Sequence, residues 1–94
     1  MKIWLDDVRP APNGYVHAHS VKEAITLINH VPLYHIEEID CDHDMGDYYK
    51  DGGDGINLLD YLLNTGNLIP IKLHTMNPVG RANMQRMLDR YWPD

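Results

Sequence analysis

Short stretches of alternating apolar and polar residues recur along this chain, separated by segments whose apolar residues fall three and four apart. Alternation marks a strand with two unlike faces, and the wider spacing marks a helix with one buried stripe. Lys2-Ile-Trp-Leu-Asp6 reads as a first strand and Tyr15-Val-His-Ala-His19 as a second. Ser20 is placed as a helix N-cap with Glu23 as its capping-box partner. Ala24, Ile25, Leu27, Ile28 and Val31 form the inner side of that helix, which stops at Pro32. Ile36 to Asp42 is the next strand, and residues 43 to 55, rich in Asp and Gly, are a loop. A helix starting at Asp54 or Gly55 carries a stripe of Ile56, Leu59, Leu62 and Leu63, widened by Leu58 and Tyr61, and Gly66 ends it. Ile69 to Thr75 is the last strand. Asn77-Pro78 opens a closing helix with Met84, Met87, Leu88 and Tyr91 on its inner face.

This order predicts one α/β domain over residues 1–94, with a parallel sheet of about four strands. One connection is unusual. Residues 8 to 14 hold two prolines and an Asn-Gly pair, so they form no helix. Parallel neighbours usually need a dozen or more connecting residues. An extended return of eight Cα steps still reaches about 26–29 Å, more than the roughly 17 Å of a five-residue strand. Otherwise residues 15 to 19 are an antiparallel edge or no strand.

The alternation also sorts the faces. Ile3, Leu5, Ile39, Cys41, Ile69, Ile71 and Leu73 share one, whereas Lys2, Trp4, Glu38, Asp40, Lys72 and His74 share the other. Parallel strands buried on both sides read as continuous apolar runs. The polar face is therefore expected to be exposed or lightly covered, with Lys2 and Lys72 flanking Glu38 and Asp40. Trp4 would need cover from the closing helix or from a second copy, which makes a homodimer through this face an expectation.

Composition narrows the functional classes. A net charge of −6 and a pI near 5.3 argue against general nucleic-acid binding or a membrane-surface role. With 44% hydrophobic and 23% charged residues the chain is an ordinary globular domain, with no run long enough to span a bilayer. Cys41 is the single cysteine, which fits a reducing compartment, and the chain is expected to be cytoplasmic.

Acids end the strands. Asp6-Asp7 closes the first, and Asp40, Asp42 and Asp44 sit at alternate positions through the end of another. Side by side in a parallel sheet, Asp6, Asp7 and Asp42 converge at the carboxyl edge, where open α/β sheets bind ligands. Oxygen ligands alone suit Mg²⁺ (or Mn²⁺). The spacing is not that of a Ca²⁺ loop, because Met45 stands where the turn glycine belongs and Asp51 where the bidentate Glu belongs. His43 and His74, at strand ends, can exchange protons near neutral pH, as Asp44 can act as a base. Arg9 and Arg81 can take phosphate oxygens, and the helix start at Asn77 offers free N–H groups.

Asp6-Asp7, Asp42, Met45-Gly46, Asp54-Gly55 and Pro70-Ile-Lys-Leu-His-Thr75 together resemble a response-regulator receiver domain, which has a flavodoxin-like fold. Trp4-Leu-Asp-Asp-Val-Arg-Pro10, Asp42-His-Asp-Met-Gly46 and His74-Thr-Met-Asn-Pro-Val-Gly-Arg81 resemble more closely the receiver-like family described as cyclic-phosphate-processing. The resemblance implies strand order 2-1-3-4, Mg²⁺ held by Asp6, Asp7 and Asp42, and Thr75 as the strand-end hydroxyl. It also departs from the receiver pattern, for the first helix, the fifth strand with its lysine, and the fifth helix are missing. The function expected is metal-dependent phosphoesterase processing of a small cyclic phosphate, of a nucleotide or a nucleic-acid end. His43, Asp44 and His74 would be catalytic, and Arg9, Thr75, Asn77 and Arg81 substrate-binding. The alternative is a non-catalytic or phosphoaccepting receiver that signals through a partner.

Overall fold

The computed structural model describes residues 1–93. Four strands, β1 (Lys2–Leu5), β2 (Tyr15–Ala18), β3 (Glu38–Cys41) and β4 (Ile71–Leu73), form one sheet in the order β2-β1-β3-β4. Every pairing is parallel. Three helices, α1 (Val21–His30), α2 (Gly55–Thr65) and α3 (Pro78–Tyr91), complete the fold, with short 3-10 turns at Leu33–His35 and Gly46–Lys50. This is a small receiver-like α/β domain.

The proline-stiffened return from β1 to β2 does place a parallel neighbour, with Lys2 opposite Tyr15 and Leu5 opposite Ala18. The Asp6 N–H donates to the Ala18 carbonyl at 3.1 Å, and the His17 Nε2 lies 2.8 Å from the Asp6 carbonyl oxygen. These contacts fix where the chain leaves the sheet, and so where Asp6 points.

Ile3, Leu5, Ile39 and Cys41 pack with Val21, Ala24, Ile28, Leu58, Leu59, Leu62 and Met84 in one apolar cluster. Burying a side chain of this size contributes about 1.5–3 kcal/mol, so the helix-covered face carries most of the stability. The buried stripe of α2 is Gly55, Leu58, Leu59 and Leu62, with Ile56 and Leu63 only half-buried. The stripe therefore centres one residue earlier than the apolar spacing predicts, because Gly55 lets the helix start press against β3. In α3, Met84 is buried and Met87 and Leu88 half-buried, but Tyr91 is exposed and Trp92 packs in its place, donating to the Ile69 carbonyl at 2.9 Å.

One local expectation is corrected. Ser20 caps α1 by accepting the Glu23 N–H at 3.0 Å, but the reciprocal half of the capping box is not made. The Glu23 carboxylate turns to His19 at 3.5 Å, while the Ser20 hydroxyl donates to Asp51 at 2.6 Å and ties the β3–α2 loop to α1.

Apart from the buried Trp4, the polar face is half-buried to exposed, as the alternation predicts, but its pairs differ. Lys72 reaches Glu38 at 3.4 Å, which also accepts the Tyr15 hydroxyl at 2.6 Å. Lys2 lies over the Tyr15 ring, and Asp40 turns to His74 instead of a lysine. Trp4 is 9% exposed and stands outside the apolar cluster. Within the chain, residues beside it on the sheet edge cover it. The His74 ring stacks on it at 3.7 Å and an interplanar angle of 3°, Tyr15 meets it edge-on, and its indole N–H donates to the Arg9 carbonyl at 3.0 Å.

Candidate functional site

The loops after β1, β3 and β4 meet at one edge of the sheet. Asp6 is fully buried. Its Oδ1 accepts the Val8 and Arg9 N–H groups at 2.9 and 2.8 Å, and its Oδ2 lies 2.9 Å from the His74 Nε2. Burial opposes a charge there, but those two N–H groups and the His74 ring outweigh it and hold the carboxyl below its usual range. Asp42 is 8% exposed, and its Oδ1 accepts the His43 N–H at 2.8 Å. One ligand atom each from Asp6, Asp42 and His74 lie within 4.8 Å of one another.

Asp7 completes the acidic set from beneath Gly46. That glycine has φ +52°, and a Cβ on it would sit 2.6 Å from the Asp7 Oδ2. Burial, then repulsion from Asp6 and Asp42, pushes the Asp7 carboxyl above its ordinary value. Asp7 stands outside the group that lies within 4.8 Å, but the repulsion among the three carboxylates is what a divalent cation would relieve. Asp6, Asp7 and Asp42 are the residues that would hold it.

Asp7 gives a pH-dependent test. A carboxyl whose folded pKa is raised favours the fold below its unfolded pKa, and that contribution is lost as pH rises through the raised value. In chelator at neutral pH, Asp7→Asn should therefore raise the melting temperature, and the gap should close in acid below the carboxylate range. A melting temperature lowered by the substitution at neutral pH would contradict the repulsion.

A second group lies beside the first. The His43 Nδ1 is 2.7 Å from the Asp44 Oδ1, and the Asn77 side-chain amide donates to both Asp44 oxygens at 3.1 and 3.3 Å. His43, then Asn77, holds the Asp44 carboxyl below its usual range. The Asn77 Oδ1 caps α3 by accepting the Val79 and Gly80 N–H groups. Gly80 has to lack a side chain, because a Cβ there would overlap the His43 ring. Asn77 therefore links the start of α3 to the acid after β3, so its role extends beyond the helix cap.

The cations stand around this edge. The Arg9 Nε is 3.9 Å from the Asp6 Oδ2, and its guanidinium reaches the His74 carbonyl at 3.4 Å. Arg81 donates to the Thr75 carbonyl at 3.2 Å and also borders a groove of about 690 Å³ on the outer side of β4, with Asp40, Lys72 and Asp89. Thr75 is buried, and its hydroxyl oxygen accepts the Asn77 N–H at 3.1 Å. The sequence reading missed Asp40 and Trp4, which between them fix the His74 ring, with Nδ1 2.8 Å from the Asp40 Oδ1. The available signal was parity, since all three occupy the polar face.

The family model described as "Cyclic-phosphate processing Receiver domain" matches residues 1–90. No curated protein and no solved structure matches the chain. Among the described residues no helix is long and apolar enough to cross a membrane.

Proposed function

Since the chain belongs to the cyclic-phosphate-processing receiver family, we propose that it hydrolyses a small cyclic phosphodiester, of a nucleotide or a nucleic-acid end, with a divalent cation. The observation that carries this reading is the His43–Asp44 pair, joined at 2.7 Å and adjoining Asp42 in the acidic cluster. An acid–base dyad beside a cation site is what phosphodiester hydrolysis needs.

Asp6, Asp7 and Asp42 would hold Mg²⁺ (or Mn²⁺). A bound ion supplies positive charge against the negative charge that develops on the phosphoryl oxygens. Asp44 keeps the proton of His43 on Nδ1, which leaves Nε2 to accept one from the attacking water. A new P–O bond forms to that water oxygen, the ring P–O bond breaks, and His43 returns the proton to the departing oxygen. The product is a phosphomonoester with a free hydroxyl. Both nitrogens of His74 face carboxylates, which supports His43 for both transfers. The Thr75 hydroxyl hydrogen is free to donate to a non-bridging oxygen, with Arg9 and Arg81 as the nearby cations.

A panel of 2′,3′-cyclic nucleotides and RNA ends bearing a cyclic phosphate tests the proposal. Ring opening to the monoester should require added Mg²⁺ or Mn²⁺ and stop with chelator. His43→Ala should lower kcat by about 10²–10⁴ with little change in KM. An unchanged rate in His43→Ala, or no ring opening on any member, contradicts it.

A further inference from the structure

We infer that this site is built for a transition-metal ion of the Mn²⁺ or Zn²⁺ class, bound through the His74 Nε2 as well as through Asp6 and Asp42, with Asp40 orienting the ring. The inference deepens the metal-dependent reading and rests on it only for the presence of a cation.

Histidines that ligate metals almost always donate their other ring N–H to a carboxylate or carbonyl, which fixes the tautomer and the ring plane. His74 has that arrangement. Its Nδ1 is 2.8 Å from the Asp40 Oδ1, and its Nε2 faces the acidic cluster, 2.9 Å from the Asp6 Oδ2. The stack on Trp4, itself tethered to the Arg9 carbonyl, holds the ring from a third side. The ring is thus aimed, with no freedom to turn away.

The carboxylates are arranged to match. The Asp6 Oδ1 is taken by two backbone N–H groups, which leaves Oδ2 turned toward the His74 nitrogen. Asp42 is largely buried, and its Oδ2, which no hydrogen bond reaches among the described residues, is the oxygen left open to solvent at this edge. An ion here would replace the proton shared by Nε2 and the Asp6 Oδ2, while the proton on Nδ1 stays with Asp40. One imidazole nitrogen with two carboxylates suits borderline ions, whereas Mg²⁺ takes oxygen ligands and keeps its waters.

Calorimetric titration of the full chain with Mn²⁺ and with Mg²⁺, beside pulsed electron paramagnetic resonance of the Mn²⁺-loaded protein, tests this without an activity assay. The Mn²⁺ signal should show coupling to a histidine nitrogen that persists in His43→Gln and disappears in His74→Gln. The ratio of Mn²⁺ to Mg²⁺ affinity should fall at least about tenfold in His74→Gln, and Asp40→Asn should weaken Mn²⁺ by about 10–100-fold. Should His74→Gln fail to fold, the nitrogen coupling in His43→Gln alone still decides the point. Divalent binding with no histidine coupling, or an affinity ratio unmoved by His74→Gln, overturns His74 ligation and leaves metal-dependent hydrolysis standing. Coupling to His74 without any turnover supports the inference and removes the hydrolytic reading instead. No divalent binding at all removes both.

Discussion

Gly55→Ala should lower the stability of the chain by about 3 kcal/mol or more. Gly55 begins α2 against the end of β3, and a Cβ there would overlap the Asp42 carbonyl oxygen and crowd the His43 Cα. Both neighbours are backbone, so no side-chain rotation relieves the clash, and the helix and strand must part. Parting them also strains the hydrogen bond from the Gly55 N–H to the His43 carbonyl at 2.7 Å and disturbs the Leu58, Leu59 and Leu62 stripe. For a domain of this length the loss corresponds to about 12–24 °C in melting temperature. Thermal unfolding followed by circular dichroism checks it, with the exposed Asn64→Ala in the same helix as control. A Gly55→Ala protein melting within a few degrees of the parent would mean that α2 and β3 are not so closely joined.

Asp42→Asn should remove most of the stabilisation that a divalent cation gives. At a hundredfold excess over its dissociation constant an ion that binds only the folded state adds about 2.7 kcal/mol. At this chain length that is about 10–20 °C. Among the described residues no donor reaches the second oxygen of Asp42, so the amide removes a ligand charge while leaving the bond from the His43 N–H in place. The substitution should therefore change the melting temperature in chelator far less than the gain on adding Mg²⁺ or Mn²⁺. A variant that gains as much as the parent would show that the ion binds elsewhere.

Much of this architecture is legible in the chain because local chemistry and global fold agree. Strand parity separates Ile3 and Leu5 from Lys2 and Trp4, and the two faces of the sheet follow that division. Residues 8 to 14 exclude a helix, and reach alone left the pairing of residues 15 to 19 open, which the structure resolves as parallel. Asp6 and Asp42, at the ends of adjacent strands, converge as parallel pairing requires. What sequence could not give was the choice among polar partners. Asp40 has Lys72 as its register neighbour in β4, yet it bonds to His74, because the stack on Trp4 swings that ring back across the sheet. Glu23 does not complete its capping box, and its carboxylate faces His19 at 3.5 Å instead. Rotamers and competing donors decide such pairs, and spacing alone does not encode them. The choice of hydrolysis over stable phosphorylation rests on the His43–Asp44 pair beside the acidic cluster.

That choice is tested most directly by giving the purified protein, with Mg²⁺ or Mn²⁺, either a 2′,3′-cyclic nucleotide or acetyl phosphate and following phosphorus NMR and intact mass together. The account predicts conversion of the cyclic phosphodiester to a monoester over many turnovers, with no phosphorylated protein accumulating from either compound. A long-lived aspartyl phosphate on Asp42 with the cyclic ring left intact would contradict it and assign the domain to signalling.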